Sequence, residues 1–209
     1  MYRETSEGRK FVNTFTMEPL SGSPHLPGER GTYVRIVSRE DGREHKLKEL
    51  WLDEELATVR WHYRHRERGT DLTAWREGNV ILLEGSHEGE EVRRRFEIDD
   101  LPWRQQFPLD LEQFARSDRQ STMFWAIGTD GPAGLKAAKF IAVKKEQDTI
   151  TVNGETCRVR RIRISFYGLL SIFWHGDSWH RCSDGEYIRF RSSEAPGHPP
   201  ALLELVRKL

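Results

Sequence analysis

The sequence predicts a mainly β protein, a single large antiparallel up-and-down sheet that curls into a half-barrel or barrel. Apolar side chains recur at every second position in one segment after another, which is the period of a half-buried strand. Pairs containing Gly, Asn or Asp separate these segments at hairpin spacing, so consecutive strands pair directly. About a dozen strands result, and a sheet of that many strands accumulates enough twist to curl.

Composition and charge limit the functional classes. The chain has 209 residues, of which 36% are hydrophobic and 11% aromatic, including seven Trp and ten Phe. This size supports one domain over residues 1–209, with a core that needs no metal or disulfide. Basic and acidic residues number 33 each and the pI is near 7.1, which disfavours nucleic-acid binding by bulk charge.

Cysteine usage and hydropathy argue against two further classes. Cys157 and Cys182 lie far apart and form no CxxC pair, so we expect neither a disulfide scaffold nor a structural zinc site. The N-terminus lacks the apolar stretch of a signal peptide. No segment approaches the ~20 apolar residues that span a bilayer. We therefore expect a cytoplasmic protein without a membrane span.

Residues 9–98 are predicted to form the N-terminal meander. Its strands are expected at 11–17, 32–37, 46–52, 57–64, 72–76, 80–83 and 91–98. Asp41-Gly42, Gly78-Asn79 and Glu88-Gly89 suit tight hairpin turns, because these residue types tolerate positive φ. The strand at 80–83 is apolar on both faces, which indicates a central or covered strand.

The pattern breaks over residues 99–120. Asp110 and Gln113 stand at the spacing of a capping box. Leu111, Phe114 and Ala115 fall on one helical face, so a short helix is predicted over 109–116, against the open side of the sheet.

Residues 121–209 are predicted to form a C-terminal meander. Its strands are expected at 122–127, 135–144, 149–152, 157–166, 171–175, 179–182 and 187–191. The expected hairpin turns are Asn153-Gly154, Gly176-Asp177 and Asp184-Gly185. The tail has apolar residues at helical spacing from Leu202 to Leu209, which favours a short C-terminal helix, with an edge strand as the alternative.

Cations among apolar neighbours indicate a binding site. Arg94 falls on the apolar side of its strand, where it must find a carboxylate, carbonyl groups or a bound anion. The candidate ligand-binding residues are Arg94, Arg76, Arg35, Trp61, Tyr63 and Trp125. They predict non-enzymatic binding of a hydrophobic or amphiphilic anionic molecule in the concave face of the sheet, without a cofactor. The structural alternative is that these arginines bridge to Glu or to carbonyl groups.

Other classes of function have weaker support. His175, Asp177 and His180 are acceptable metal ligands and define a metal-dependent hydrolase as a distant alternative. A catalytic triad from Ser171 or Ser178 lacks a recognisable nucleophile elbow. A protein-interaction or structural module using exposed Trp and Arg is the nearer alternative.

The C-terminal third resembles a family of uncharacterised bacterial proteins. The resemblance rests on Gly-Leu-Leu-Ser-Ile-Phe-Trp-His at 168–175, Trp179, Ser-Asp-Gly at 183–185 and Pro-Gly-His-Pro at 196–199. In layout it is similar to the curled antiparallel sheets of lipoprotein-carrier and lipocalin-like proteins, which cup apolar ligands. The resemblance implies a curled β-sheet and transfers no activity.

Overall fold

The computed structural model describes residues 1–6, 9–23, 30–129, 135–152, 154–169, 174–192 and 201–205. They form one large antiparallel sheet of 14 strands, which confirms the predicted fold class. The strands are β1 (Tyr2–Ser6), β2 (Arg9–Ser21), β3 (Arg30–Glu40), β4 (Arg43–Leu52), β5 (Thr58–His65), β6 (Thr70–Glu77), β7 (Val80–His87), β8 (Glu90–Glu97), β9 (Ser121–Gly128), β10 (Lys136–Val152), β11 (Glu155–Phe166), β12 (His175–Arg181), β13 (Tyr187–Ser192) and β14 (Ala201–Leu205).

The strand order is two meanders joined through the chain termini. It runs from β8 back to β1, continues with β14, and then runs back to β9. β8 and β9 are thus the two ends of the order, and the sheet is not closed. No helix in the described part of the chain is long and apolar enough to cross a bilayer. The cytoplasmic location stays a prediction.

The C-terminal tail differs from the expected helix. Residues Ala201–Leu205 form β14, which pairs with β13 on one side and with β1 on the other, with Tyr2 opposite Leu205. A helix of so few residues has an unfavourable nucleus, whereas a strand between two neighbours satisfies its backbone on both edges. The tail is therefore neither a helix nor an edge strand. Residues 206–209 lie outside the described part.

The chain divides into two compact units. The terminal unit contains Met1–Lys10 and Gln106–Leu209, and the central unit contains Phe11–Gln105. That these form a single domain remains a prediction.

In the central unit, one row of side chains shows how alternation builds the core. Across five neighbouring strands, direct Cα partners are Val34, Leu50, Trp61, Ala74 and Leu83. All five are at most 1% exposed. The small Ala74 beside the large Trp61 lets the row interdigitate, as close packing requires. We call the side of this row the apolar face and the other side the polar face.

The segment after β8 is held to the central unit by its backbone. The amide of Thr58 donates to the carbonyl of Trp103 at 2.7 Å, and the Trp103 side chain is fully buried. The guanidinium of Arg104 donates to the carbonyl of Leu56 at 2.9 Å. These contacts order a stretch in which the sequence predicts no strand.

The predicted helix forms and covers one face of the terminal unit. It is bent, with α1 over Phe107–Asp110 and α2 over Glu112–Arg116. Its Leu111 and Phe114 pack in one cluster with Phe124 and Phe140. The expected capping box is wrong. Asp110 lies inside the helix and accepts a bond from the amide of Gln106 at 2.8 Å.

Two strand boundaries in the C-terminal meander also differ. The segments expected at 135–144 and 149–152 form the single strand β10, with a register shift between Lys144 and Gln147. Gly176-Asp177 is not a turn, because both residues lie within β12. Asp177 is held there by two hydrogen bonds of 3.0 Å from Arg163 on β11. Residues 170–173 of the strand expected at 171–175 lie outside the described part.

The hairpin turns of the first meander are confirmed. Asp41 and Gly42 have φ of 48° and 80°, and Glu88 and Gly89 have φ of 54° and 83°. Two successive positive φ values are those of a tight primed turn. Gly78 and Asn79 also form the turn between β6 and β7.

Candidate functional site

One end of the terminal unit brings aromatic and cationic side chains together on the face that the helix does not cover. Phe124, Phe140 and Phe166 are direct Cα partners on the helix-covered face. Neighbouring positions point to the opposite face. Trp125 and Lys139, which are also direct partners, therefore lie there.

Tyr167 adjoins this pair because the ladder continues one residue beyond β11. Its amide donates to the carbonyl of Lys139 at 2.8 Å. The ammonium of Lys139 lies 5.1 Å from the centroid of the Trp125 ring, within the range of a cation–π contact. Lys136, the first residue of β10, is exposed. One cation and two large rings therefore lie on this face of β9, β10 and β11, and Lys136 adds a second cation at the same end of β10 but on the opposite side, because it is three positions from Lys139.

The chain then presents an apolar side chain to solvent. Gly168 has a φ of 77°, a left-handed conformation that glycine adopts without strain, and it turns the chain after Tyr167. Leu169 is 93% exposed and Tyr167 is 53% exposed. The next residues in the sequence are Leu, Ser, Ile and Phe at 170–173, which lie outside the described part. We define the tip surface as Trp125, Lys136, Lys139, Tyr167 and Leu169.

Sequence reasoning identified Trp125 but missed the other members of the tip surface. A signal was available, because residues 166–174 read Phe-Tyr-Gly-Leu-Leu-Ser-Ile-Phe-Trp, apolar where a hairpin connection is ordinarily polar. The strand predicted at 171–175 begins after Leu169, so that prediction gives no exposed side chain at Leu169.

The predicted ring residues of the central unit are packed rather than exposed. Trp61 is 1% and Tyr63 is 4% exposed, and their rings stack with centroids 5.5 Å apart. The neighbours of Trp61 in its row are also buried. These two rings therefore stabilise the core of the central unit.

The three predicted arginines do not converge. Arg76 donates to the carbonyl oxygens of Gly78 at 2.7 Å and of Leu101 at 2.9 Å, as the structural alternative expected. Arg94 is the Cα partner of Leu83 and therefore lies on the apolar face of the central unit. It is exposed, because its strand β8 is at one end of the strand order. Arg94 therefore lies on the predicted apolar side of its strand, and its guanidinium donates to the carbonyl oxygen of Arg93 at 3.3 Å.

Arg35 lies on the polar face, opposite to the predicted position. Its Nε is 3.7 Å from Glu49, which also accepts a hydrogen bond from the Tyr33 hydroxyl. The ring of His62 lies between Glu49 and Asp71, with both nitrogens 2.8 Å from a carboxylate oxygen. Burial opposes ionisation of Glu49, but the hydrogen bonds from Tyr33 and His62 outweigh it and lower the pKa of Glu49.

A shallow depression lies at the β7 and β8 end of the sheet. Its volume is about 490 Å³, and it is lined by Glu84, Gly85, Glu91, Val92 and Arg93. Ligand pockets are mostly apolar, whereas three of these five side chains are charged. The depression does not contain any of the six predicted ligand-binding residues.

The distant metal candidates lie on opposite faces of β12. His175 is exposed and Asp177 is bonded to Arg163, whereas His180 is fully buried. Strand alternation separates His180 from the other two, so the three side chains do not share a site.

Ser178 and His180 contact each other but have no access to a substrate. The Ser178 hydroxyl lies 2.8 Å from Nε2 of His180, and Nδ1 of the same ring lies 3.1 Å from the carbonyl oxygen of Gly185. Both side chains are 0% exposed. Burial lowers the pKa of His180 to about 4, so the ring is neutral at pH 7. This is a buried structural pair.

Comparison with known proteins supports the fold alone. No family profile matches the chain, and no curated protein matches it. Among solved structures, the chain is similar to a β-barrel-like protein of the domain of unknown function DUF1849 from Brucella abortus, with a TM-score of 0.56 and 10% identity over 99% of this chain and 94% of that one. A hypothetical lipoprotein, YmcC from Escherichia coli, is 13% identical over 94% of this chain and 84% of its own, with a TM-score of 0.38.

The chain therefore is similar in fold to the β-barrel-like Brucella protein. At this level of identity the likeness carries no activity, substrate or partner to this chain. The lipocalin-like layout of the sequence-based resemblance remains a prediction.

Proposed function

We propose that this protein is a non-enzymatic binding protein for anionic amphiphiles, and that its tip surface docks onto the headgroups of an anionic lipid layer. The observation that carries the proposal is Leu169, whose side chain is 93% exposed beside the half-exposed Tyr167. Large exposed apolar groups beside cations mark interaction sites more often than isolated apolar residues do.

The chemistry of the tip surface fits a lipid interface. Tyr and Trp rings are enriched at membrane–water boundaries, because one part of each ring is apolar and the other is polar. Burying the Leu169 side chain in acyl chains contributes about 1.5–3 kcal/mol. Lys136 and Lys139 each contribute about 1 kcal/mol near an anionic surface. Together these terms support weak, reversible and salt-sensitive binding.

The side-chain packing inside each unit favours binding at the tip surface over binding in the interior of the sheet. The apolar face of the central unit is filled along its row by mutually buried side chains. The corresponding face of the terminal unit packs against Leu111 and Phe114 of the helix. The tip surface is a place in the described part of the chain where rings, an aliphatic side chain and cations lie close together at the surface.

We expect the Leu169→Asp variant to bind anionic vesicles at least tenfold more weakly than the wild type. The substitution removes the inserted side chain and adds a charge that the anionic surface repels. Co-sedimentation with vesicles containing phosphatidylglycerol measures the affinity, and vesicles of phosphatidylcholine alone should bind much less protein. The double variant Lys136→Gln, Lys139→Gln should lose most of the salt dependence.

Met17→Asp is the matched control, because Met17 is 46% exposed and lies in the central unit. It should bind anionic vesicles like the wild type. Equal binding by the wild type and Leu169→Asp, or no wild-type binding to vesicles of any anionic content, would contradict the proposal.

A further inference from the structure

We propose that the central unit carries a site for a divalent transition metal, with Zn²⁺ as the ion it fits best, formed by Glu40, His45 and Glu67. One ligand atom from each of these three side chains lies within 4.8 Å of the others. The site is independent of the lipid-binding proposal, since none of its residues belongs to the tip surface.

A β-bulge places the imidazole. The register of β3 and β4 pairs Ser38 with Lys46 but Arg39 with Glu44, so His45 is the extra residue on its strand. A bulge redirects a side chain, and bulges are frequent beside functional sites. Glu40 ends β3 at the hairpin next to this bulge, and Glu67 lies in the 3-10 turn Arg66–Arg68 that follows β5.

Rings on two sides fix the orientation of His45. The Phe11 ring stacks on it at a centroid distance of 4.9 Å, and the His65 ring meets it edge-on at 4.5 Å. The His45 side chain is only 5% exposed. A ligand held in one orientation loses little entropy when a metal binds, which favours affinity.

One pair of donor atoms already has the separation that zinc requires, and the third lies within 4.8 Å of both. Donor atoms about 2.0–2.2 Å from zinc lie roughly 3.4 Å apart in a tetrahedron. Nδ1 of His45 is already 3.3 Å from Oε1 of Glu67. The Glu67 side chain is 55% exposed, so its carboxylate is able to rotate towards the ion. Three protein ligands leave a fourth position for water.

The donor types select among ions. An imidazole nitrogen suits zinc and other late transition metals, whereas Mg²⁺ prefers oxygen ligands in octahedral geometry. Two carboxylates balance the charge of a divalent ion.

Titration of the metal-free protein with zinc sulfate, followed by isothermal calorimetry, tests the proposal. The wild type should bind zinc with an affinity at least tenfold above that for Mg²⁺. The variants Glu67→Gln and Glu40→Gln should each weaken this binding at least tenfold, because each removes a charged ligand. Glu67 is largely exposed, so its variant is expected to fold.

Glu88→Gln is the control, because Glu88 is an exposed carboxylate of the same unit outside the cluster. Glu88→Gln should bind zinc with the affinity of the wild type. Zinc should raise the melting temperatures of the wild type and of Glu88→Gln, and it should leave that of Glu67→Gln unchanged. Zinc binding that is unchanged in both ligand variants would overturn the proposal, as would a wild type that binds no zinc at millimolar concentration.

Discussion

The Gly85→Ala variant is expected to lose roughly 3 kcal/mol or more of unfolding free energy. Gly85 lies within β7 at a φ of 132°, a conformation that residues with a side chain rarely adopt. A Cβ atom at this position would lie 2.1 Å from the carbonyl oxygen of Asp71 on β6. The obstacle is backbone, so the two strands would have to separate.

Gly128→Ala is the matched control for this effect. Gly128 ends β9 without a positive φ, and among the described residues a Cβ atom there would approach nothing closer than the carbonyl oxygen of Lys136 at 3.9 Å. Urea denaturation should leave Gly128→Ala within about 1 kcal/mol of the wild type. If Gly85→Ala were as stable as this control, the backbone of β6 could not lie as close to Gly85 as the structure places it.

Acid is expected to destabilise the protein through His180. Burial lowers the pKa of the folded-state ring to about 4, whereas an unfolded histidine titrates near its model value of 6.5. The unfolded chain therefore binds a proton at higher pH than the folded one. The stability from the neutral ring is fully present above pH 6.5 and is lost as the pH falls towards 4. Between pH 7.5 and pH 5 the loss from this group is about 2 kcal/mol.

The His180→Gln variant isolates this contribution from the carboxylates that also titrate. The amide of glutamine keeps a donor and an acceptor near Ser178 and Gly185 but does not gain a proton. When the pH is lowered from 7.5 to 5, the unfolding free energy of this variant should decrease by about 2 kcal/mol less than that of the wild type. His175→Gln, on the same strand but exposed, should keep the wild-type dependence. Parallel pH profiles for the wild type and His180→Gln would show that the ring is not buried as described.

Local alternation predicted most of the strands and the covering helix, because both patterns extend over a few consecutive residues. It missed β1 and β14 and divided β10 in two. The alternation of β5 placed Trp61 and Tyr63 on one face, but it could not tell a packed core from a ligand-binding surface. Alternation does not say which face of a strand is covered when cations occur on both. The sequence therefore places Arg35 on the apolar side, whereas the pairing register puts it on the polar face beside Glu49. Arg94 does share the apolar face, but it is exposed on the last strand of the order.

Features that depend on distant pairing could not be predicted. The apolar residues from Leu202 to Leu209 do have helical spacing. Residues Ala201–Leu205 nevertheless form a strand, because β1 pairs with them. The bulge at His45 is invisible in the sequence, because it depends on the offset between two strands. The tip surface joins β9, β10 and β11, and Trp125 is the one of its residues that the sequence analysis predicts as a binding residue.

The most direct test of lipid docking is the depth of position 169 in a bilayer. A bimane probe would be attached to a Leu169→Cys variant in which Cys157 and Cys182 are replaced by serine, and to a Met17→Cys variant of the same background. Addition of anionic vesicles should shift the emission of the probe at position 169 to shorter wavelength, because it enters the apolar layer, and should leave the probe at position 17 unchanged. A probe at position 169 that stays in water while the protein is bound to vesicles would contradict the account.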